Sequence, residues 1–425
     1  MGWRGSTMNG KMSSDAGPIT SLPTSTPVPG TPLLLRVVAA ASIINVLSYT
    51  DRACIALLAP RLGADLHFGP AQMGVIFGAF SLSYATFQAP WGAMADKRGA
   101  RRIVAIAISA WSVFTGLTAG AWNFVSMIVI RFLFGVSEAA ISPTVASVFR
   151  RVIPASHRST AFGFFLAGGR VGGAISPYLT LFFATRYGWR AVFIVFAAIG
   201  VFAVLGWLAA IPREVDRYEA VDSVQSQQPT STVLSSPLLA LLAVAFSYTI
   251  MWQFYITWFP TYLVQSRGFN MQAATKYAGL PFLLGLVSSW AGGVLGDAMI
   301  RRLGSQAGRR VLGVGALTVS ALCLYFGEMV SDRSVAAILI ALAAGIGDLL
   351  LGTSWALAVE IGGKAAGAAA GLVNSASNLG AFVSPIAIGW MLQSTGNWSP
   401  ILRLAALCNI VAVAFWVMAV RRSAP

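Results

Sequence analysis

Apolar residues dominate the chain from Leu33 onward and form twelve segments separated by short polar stretches. Each segment is close to the ~20 residues that an α-helix needs to cross the hydrocarbon core of a bilayer. We therefore predict an all-α integral membrane protein with twelve transmembrane helices. The approximate spans are 34–58, 72–94, 103–121, 123–149, 160–184, 190–211, 238–262, 274–298, 311–330, 334–358, 367–392 and 400–420.

A polar stretch interrupts this pattern near the middle of the chain. Residues 213–236 carry acidic and basic side chains followed by Gln and Ser, which is typical of a linker. The blocks on either side, 33–212 and 237–422, are similar in length and hold six predicted helices each. Residues 1–32 are rich in Ser, Thr, Gly and Pro and lack the apolar core of a signal peptide. We expect a disordered tail and two six-helix bundles joined by a cytoplasmic linker.

The composition agrees with a membrane protein, since 56% of the residues are hydrophobic and only 10% are charged. A net charge of +15 could indicate nucleic-acid binding, but the basic residues recur in pairs between apolar runs. Of the 29 Lys and Arg residues, 19 fall on one predicted side of the membrane and 7 on the other. The positive-inside rule therefore predicts cytoplasmic termini. The Ala- and Gly-rich spans and short tails are typical of a bacterial inner-membrane protein.

The sequence offers little for metal or cofactor chemistry. Cys54, Cys323 and Cys408 lie far apart in apolar runs, and both histidines fall in short loops. Neither a disulfide framework nor a metal site is indicated. No Gly-rich ATP-binding loop is present, which argues against transport driven by hydrolysis. We predict a monomer without metal or cofactor that is not an enzyme.

A short motif occurs at matching places in the two halves. GAMADKRGARR follows the second span and GGVLGDAMIRR follows the eighth, each with a Gly four residues before an Asp and a basic pair after it. A plain loop at the membrane edge would need neither the Gly spacing nor the lone acid. We predict that these loops latch the cytoplasmic side during conformational change. The gate residues are Gly92, Asp96, Arg101, Arg102, Asp297 and Arg301.

Charged residues also occur inside the predicted spans. Arg131 and Glu138 differ by seven positions in the fourth span and so share one helical face. A charge at the bilayer centre costs roughly 3 kcal/mol, so this face must look into protein or a wet cavity. Arg131 lies about 10.5 Å from Glu138 along the axis, which makes direct pairing in a straight helix doubtful. We interpret Arg131 as an electrostatic tuner and Glu138 as a candidate proton carrier.

The first span carries the adjacent pair Asp51 and Arg52. Asn45, Ser48 and Arg52 follow i, i+3, i+7 spacing, so a polar stripe runs along one face. The pair could simply pin this helix to a neighbour, but two full charges beside a polar stripe favour a cavity.

Arg170 in the fifth span and Asp348 in the tenth are two further buried charges. Arg170 could contact a dianion or a bulky carboxylate, or it could pair with an acid. Asp348, Gly352 and Trp355 share a helical face, which places Asp348 on the same side as Trp355. We advance the hypothesis that Asp348 neutralises Arg170.

Aromatic and amide residues complete the candidate site. The seventh span carries an aromatic stripe, which is more often packing or an interfacial belt than a ligand site. From it we place only Tyr255 near substrate, together with Tyr84 of the second span. Asn374 and Asn378, at i and i+4 in the eleventh span, suit either interhelical hydrogen bonds or recognition of substrate hydroxyls.

These motifs together resemble the major facilitator superfamily, and within it the anion:cation symporters, whose members include bacterial hexonate, glucarate and hexuronate transporters. GAMADKRGARRI is similar to the loop signature after span two, and RFLFGVSEA to the signature of span four. The resemblance runs from about residue 45 to 395. The other motifs are SYTDRA (Ser48–Ala53), EAAISP (Glu138–Pro143), GWRAVF (Gly188–Phe193), WFPTYL (Trp258–Leu263) and GLVNSASNLGAFVSP (Gly371–Pro385).

The resemblance implies a two-bundle fold, a central anion site and proton-coupled uptake. It implies proton-coupling roles for Asp51 and Glu138, carboxylate binding by Arg52 and a cavity position for Trp355. Arg170 departs from the family pattern, where a small or amide residue is common.

We therefore expect a proton-coupled symporter of a small organic anion, such as a sugar acid, that works by alternating access. A drug:proton antiporter of the same fold is the alternative, although Ser176 precedes Pro177 where those exporters have Gly. A non-transporting membrane sensor is a second alternative, but it would not need the buried acids. The sequence leaves open which anion is carried, since sugar acids, dicarboxylates and aromatic acids all suit these side chains.

Overall fold

A computed structural model of the chain describes residues 31–217 and 235–421, and every regular element within these ranges is a helix. The first half contains α1 (Thr31–Leu66), α2 (Pro70–Arg98), α3 (Ala100–Thr118), α4 (Phe124–Glu138), α5 (Ile141–Val152), α6 (Ala155–Tyr187) and α7 (Trp189–Ala210). The second half contains α8 (Ser236–Thr257), α9 (Phe259–Gln265), α10 (Met271–Ala278), α11 (Leu280–Leu303), α12 (Ser305–Met329), α13 (Arg333–Asp348), α14 (Leu351–Gly362), α15 (Ala366–Thr395) and α16 (Ser399–Arg421). Short 3-10 helices follow α7 (Arg213–Arg217) and α14 (Gly363–Ala365). The predicted tail and most of the predicted linker lie outside the described residues, so the domain boundaries stay predictions.

Ten helical stretches of the described chain are long and apolar enough to cross a membrane. Helices α2 and α6 are not among them, although their 29 and 33 residues exceed the length that a span requires. Both contain charged residues and many small ones, which lowers their mean hydropathy. The all-helical membrane fold is confirmed, and the count of twelve spans stays a prediction.

The two halves pair their helices in the same way. In the first half α1 packs on α6, α2 on α4, and α3 on α7. In the second half α8 packs on α15, α11 on α13, and α12 on α16, which are the corresponding helices in order. The most extensive contacts between the halves join α2 to α15 and α6 to α11. These two contacts also correspond to each other, so the halves are related by an approximate two-fold axis.

Each half contains one span that is interrupted at an acidic residue. Helix α4 ends at Glu138, and α5 begins after the two-residue turn of Ala139 and Ala140. Helix α13 ends at Asp348, and α14 begins after an equivalent two-residue turn. Interrupted spans near the membrane centre are a common way to build binding sites in transporters. The two acids therefore occupy equivalent positions in the two halves.

The halves are packed tightly at one end of the molecule, where α2 begins and α15 ends. A single hydrophobic core there contains residues of both halves. A Cβ atom on Gly389 would lie 2.5 Å from the carbonyl oxygen of Pro70, so only glycine permits this approach. The indole of Trp258 donates a hydrogen bond of 3.2 Å to the carbonyl of Pro385, and its ring meets Phe77 at 5.4 Å. We call this the sealed end.

At the opposite end, which holds the described chain termini, the two halves have separate cores. One core is built from first-half residues and the other from second-half residues. Between them lies a cleft of about 560 Å³, with α2 on one side and α15 on the other. The molecule is therefore closed at one end and open at the other.

Candidate functional site

Amide side chains of α2 and α15 line the cleft between the halves. The amide nitrogen of Asn374 donates to the side-chain oxygen of Gln88 at 3.3 Å, and Asn378 lies in the same wall. The sequence predicted a pair of amides on one face of α15, and both of them line the cleft. Gln88 was not predicted, because a lone glutamine in a long helix gives no spacing signal.

The first charged group of the site is Arg52 with Glu138. The Nε atom of Arg52 donates to Oε1 of Glu138 at 2.9 Å, and the hydroxyl of Ser48 donates to the same oxygen. The Glu138 side chain is fully buried, whereas that of Arg52 is 14% exposed. The guanidinium carbon lies 4.2 Å from the centre of the Tyr84 ring. The acid is thus shielded from solvent, whereas the arginine side chain remains partly exposed.

This pairing joins α1 to α4, and it explains the polar stripe of the first span. Ser48 and Arg52 on that stripe both point at Glu138. Asn45 has a structural role instead, since its amide donates to the carbonyl of Phe165 at 2.6 Å. Tyr84 lies beside Arg52, its hydroxyl is 3.4 Å from Ser142 Oγ, and its predicted contact with substrate stays a prediction.

Asp51 and Arg131 lie deeper in the first half. Asp51 is buried and lines a small cavity of about 80 Å³ among α1, α6 and α7. Its carboxylate is close enough to Arg131 and Glu138 for their charges to interact. Arg131 is 3% exposed, and its guanidinium carbon lies 4.3 Å from the Phe134 ring centre. Arg52 is the arginine that pairs with Glu138, and the tuning role of Arg131 stays a prediction.

The second charged group is Arg170 with Asp348, and it connects the two halves. Arg170 Nη2 lies 2.6 Å from Asp348 Oδ2, in agreement with the pairing hypothesis. The hydroxyl of Tyr248 donates to the other carboxylate oxygen. The ring of Trp252 lies 3.9 Å from the guanidinium carbon. A Cβ atom on Gly285 would lie 3.2 Å from Arg170 Nη1, so the missing side chain makes room for the pair.

The two charged groups have the same construction. Each has an acid with 0% exposure at the end of an interrupted helix, and a partner arginine that is 14% or 15% exposed. In each, a hydroxyl donates to the acid and an aromatic ring covers the guanidinium. We call them the inner pair (Arg52 and Glu138) and the bridging pair (Arg170 and Asp348).

One predicted substrate residue, Tyr255, lies elsewhere, and the predicted cavity position of Trp355 stays a prediction. Tyr255 is 1% exposed within the sealed end, and its hydroxyl donates to the carbonyl of Ile340 at 2.7 Å. It packs on Trp252 and Phe254, so we do not include it in the site. Trp355 is exposed on α14.

The predicted gate residues make contacts within their own halves. Arg101 Nη2 donates to the Leu208 carbonyl at 2.7 Å, and its Nε donates to the carbonyl of Ile211. Its backbone N–H donates to Asp216 Oδ1 at 3.1 Å. These bonds fasten the start of α3 to the end of α7 and the 3-10 helix that follows it.

The other gate residues give no further support for a latch between the halves. Gly92 lies against Pro143 of α5, where an added Cβ would be 3.3 Å from the proline Cβ. Arg102, Asp297 and Arg301 are exposed. The side chain of Asp96 lies outside the described part of the structure. The latch stays a prediction.

The repeat has a second element that the sequence analysis missed. The indole of Trp207 donates to the carbonyl of Arg101 at 2.9 Å, and the indole of Trp416 donates to that of Arg309 at 3.0 Å. Each bond ties the last span of a half to its third span. The signal was a tryptophan at a matching place in the sixth and twelfth spans.

The described residues contain no group of three or more His, Cys, Asp or Glu that could hold a metal ion. All three cysteines are free thiols. The ionisable side chains of the two pairs described above are carboxylates and arginines.

Two similar helical halves with a cleft between them and two buried arginine–acid pairs are the architecture of a membrane transporter. The chain matches the description of the Major Facilitator Superfamily over residues 41–385, and it belongs to this superfamily. The predicted family and the predicted transporter class are therefore confirmed.

Two relatives are similar over most of their length. The chain is 29% identical to the "Hexuronate transporter" of Bacillus subtilis, over 85% of this chain and 88% of the relative. It is 30% identical to the "Probable sulfoacetate transporter SauU" of Cupriavidus necator, over 87% and 90%. Among solved structures, the bacterial homologue of the human lysosomal transporter Spinster, inward-facing and unoccupied, has a TM-score of 0.74 at 18% identity. The alignment covers 92% of this chain and 98% of the Spinster homologue, which shows a shared fold.

Proposed function

We propose that this protein is a proton-coupled symporter of a small organic anion that binds at Arg52. The observation that carries the proposal is the inner pair, in which an arginine side chain with 14% exposure is held by a fully buried carboxylate. A substrate carboxylate can form the same charge-assisted hydrogen bonds with Arg52 that Glu138 forms in the empty site. Glu138 must then lose its negative charge, because an unpaired buried carboxylate is costly.

A proton on Glu138 is the simplest way to remove that charge. Its Oε2 atom is buried and has no hydrogen-bond partner among the described residues, so a proton can be accepted there. Asp51 is a second buried acid whose charge interacts with Glu138 and Arg131, and we assign it a supporting proton-coupling role. Binding of the anion and of the proton then favour each other, which is the requirement for symport.

Alternating access is supported by the unequal ends of the molecule. The halves share one core at the sealed end and have separate cores at the open end. We propose that the open end faces the cytoplasm of a bacterial inner membrane, as the positive-inside rule predicts. Rocking of the halves would then open the sealed end and close the cleft.

The named relatives support an acidic substrate. A hexuronate carries one carboxylate, and sulfoacetate carries a carboxylate and a sulfonate. Both are small and fully ionised at neutral pH, and an arginine fork suits both types of oxyanion.

Uptake into proteoliposomes tests the proposal. We expect labelled galacturonate or sulfoacetate to accumulate when the outside is acidic and the membrane voltage is clamped at zero. R52Q should abolish uptake, whereas R186Q, which changes an exposed arginine of α6, should leave it unchanged. Uptake that ignores the pH gradient would refute symport. Proton-driven efflux of cationic dyes would instead support the drug antiporter, and binding without any uptake would support the sensor.

A further inference from the structure

The inner and bridging pairs are two copies of one arrangement, one within the first half and one across the interface between the halves. The acids end α4 and α13, which are equivalent helices, and each accepts hydrogen bonds from one hydroxyl and lies beside one arginine. If the inner pair marks a place where a substrate anion replaces a protein carboxylate, the bridging pair has the same chemistry for a second anionic group.

Tyr49 of α1 contacts Arg52 and also packs against α6 beside Arg170. The guanidinium carbon of Arg52 lies 4.9 Å from the Tyr49 ring centre. A Cβ atom on Gly169 would lie 2.8 Å from an atom of that same ring. Arg170 is the next residue in α6. Tyr49 therefore connects Arg52 with the turn of α6 that carries Arg170.

A purely structural role explains the bridging pair less well. Burying an ion pair costs desolvation energy that its attraction barely repays, so such pairs are weak stabilisers. Arg170 Nη1 is buried and has no hydrogen-bond partner in the described part of the chain, so the pair leaves part of the guanidinium fork unused. A planar arginine fork is matched by two oxygens of an oxyanion. The Arg170 side chain is also 15% exposed, whereas an ion pair that only stabilises the fold needs no exposure.

We infer that Arg170 is a second anion-binding residue, so that the substrate carries two acidic groups. One group binds Arg52 in place of Glu138, and the other binds Arg170 in place of Asp348. This inference rests on the proposed function and specifies its substrate class. The relatives leave the number of acidic groups open, since hexuronate has one and sulfoacetate has two.

The charge balance follows from the exchange. Each acid that gives up its arginine takes one proton, so a dianion enters with two protons at these two positions and no net charge moves. The charged and titratable groups that face Asp348 are Arg170 of α6 and Tyr248 of α8.

Glu138 has more charged neighbours than Asp348. Those that face it are Arg52 and Asp51 of α1 and Arg131 of its own helix.

A matched pair of probes tests the inference. Galactarate and galactonate are six-carbon sugar acids that differ in whether the sixth carbon is a carboxylate or an alcohol. We expect the wild-type protein to prefer galactarate at least tenfold, both in kcat/KM for uptake and in the ligand concentration that raises the melting temperature. Sulfoacetate and acetate form a second matched pair.

The decisive variant is R170Q/D348N, which removes both charges and leaves no unpaired charge behind. Its kcat/KM for galactarate should fall to about that for galactonate, so that the preference for galactarate falls to near unity. D348N alone keeps the arginine and should keep the preference. R170Q alone should lose it.

Equal kcat/KM values for galactarate and galactonate in the wild-type protein would overturn the inference and leave the symporter proposal intact. Variants of the bridging pair that slow the uptake of galactarate and galactonate equally would also overturn the inference, because that result is expected if the pair only stabilises the fold. If the wild-type protein transports neither probe but is stabilised by galactarate in a manner that requires Arg170, the inference stands and the symporter proposal fails.

Discussion

The inner pair and the bridging pair share their chemistry and differ in what they connect. The inner pair joins α1 to α4 within the first half, whereas the bridging pair joins α6 of the first half to α13 of the second. Exchange at the inner pair can occur without any movement of one half against the other. Exchange at the bridging pair changes an attraction across the interface that alternating access must rearrange.

The difference suggests a division of labour. A ligand shifts a conformational equilibrium only by binding the two states with different free energies. An anion at the inner pair alone has no charged contact that depends on the position of the halves. An anion that also replaces Asp348 does, so the bridging pair is the place where occupancy can influence the rocking of the halves.

Neutralising the inner pair should have the largest effect. R52Q leaves Glu138 buried without its ionic partner, and breaking such a pair costs about 3–5 kcal/mol, so we expect uptake to fall at least about 100-fold for every substrate. Measurements of uptake and melting temperature with R52Q and R52Q/E138Q check this. The double variant should regain melting temperature and remain inactive. Uptake near the wild-type level in either variant would remove the inner pair from the mechanism.

Breaking the bridging pair should lower stability less, because Arg170 keeps its contact with Trp252. We expect D348N to lower the melting temperature by about 5 °C. The charge-swapped variant R170D/D348R should restore both the melting temperature and the uptake lost in R170Q, because it places the same two charges at the interface. A swap that restores neither would show that the two side chains do not act as a pair.

Removing the hydroxyl donors should separate the two pairs. A hydrogen bond to a charged group contributes about 1.5–3 kcal/mol, so S48A and Y248F should each slow uptake about tenfold. S48A should affect galactarate and galactonate alike, since both need the inner pair. Y248F should affect galactarate alone. Initial uptake rates of the two probes check this, and identical profiles for the two variants would contradict the division of labour.

The smallest expected effect is that of a methyl group beside the bridging pair. In G285A the added Cβ would overlap Asp348 Oδ2 and lie 3.2 Å from Arg170 Nη1, so the Asp348 carboxylate must move. We expect galactarate uptake to fall about threefold, with galactonate unchanged. G293A is the matched control in the same helix, because no atom lies within 4 Å of its added Cβ. An equal loss in both variants would point to α11 itself.

The sequence could identify most charged members of the site, because a charge in an apolar span must face protein or water. Arg52, Glu138, Arg170 and Asp348 were all found in this way, and the pairing of Arg170 with Asp348 was advanced as a hypothesis that agrees with the structure. The pairing of Arg52 with Glu138 was not predicted. Helical periodicity tells which residues share a face, but it does not tell which helix that face meets.

The case of Tyr255 shows the same limit. Its place on an aromatic stripe fitted both a substrate site and a packed core. The structure places it in the core of the sealed end, where its hydroxyl donates to the Ile340 carbonyl. Asn374 gave the same ambiguity, and the structure places it in the cleft with Gln88. An apolar or amide-rich helix face can pack favourably against many other faces, so the sequence does not determine which helix it contacts.

The sequence by itself determined the membrane class, the two halves and the buried charges, because lipid excludes polar groups and the apolar segments are long. The tertiary structure decided which acid meets which arginine, that Glu138 and Asp348 are equivalent, and which end of the molecule is sealed. These depend on the rotation of each helix about its axis and on close contacts such as that of Gly389 with Pro70. Such contacts are set by packing between distant parts of the chain, which local patterns do not encode.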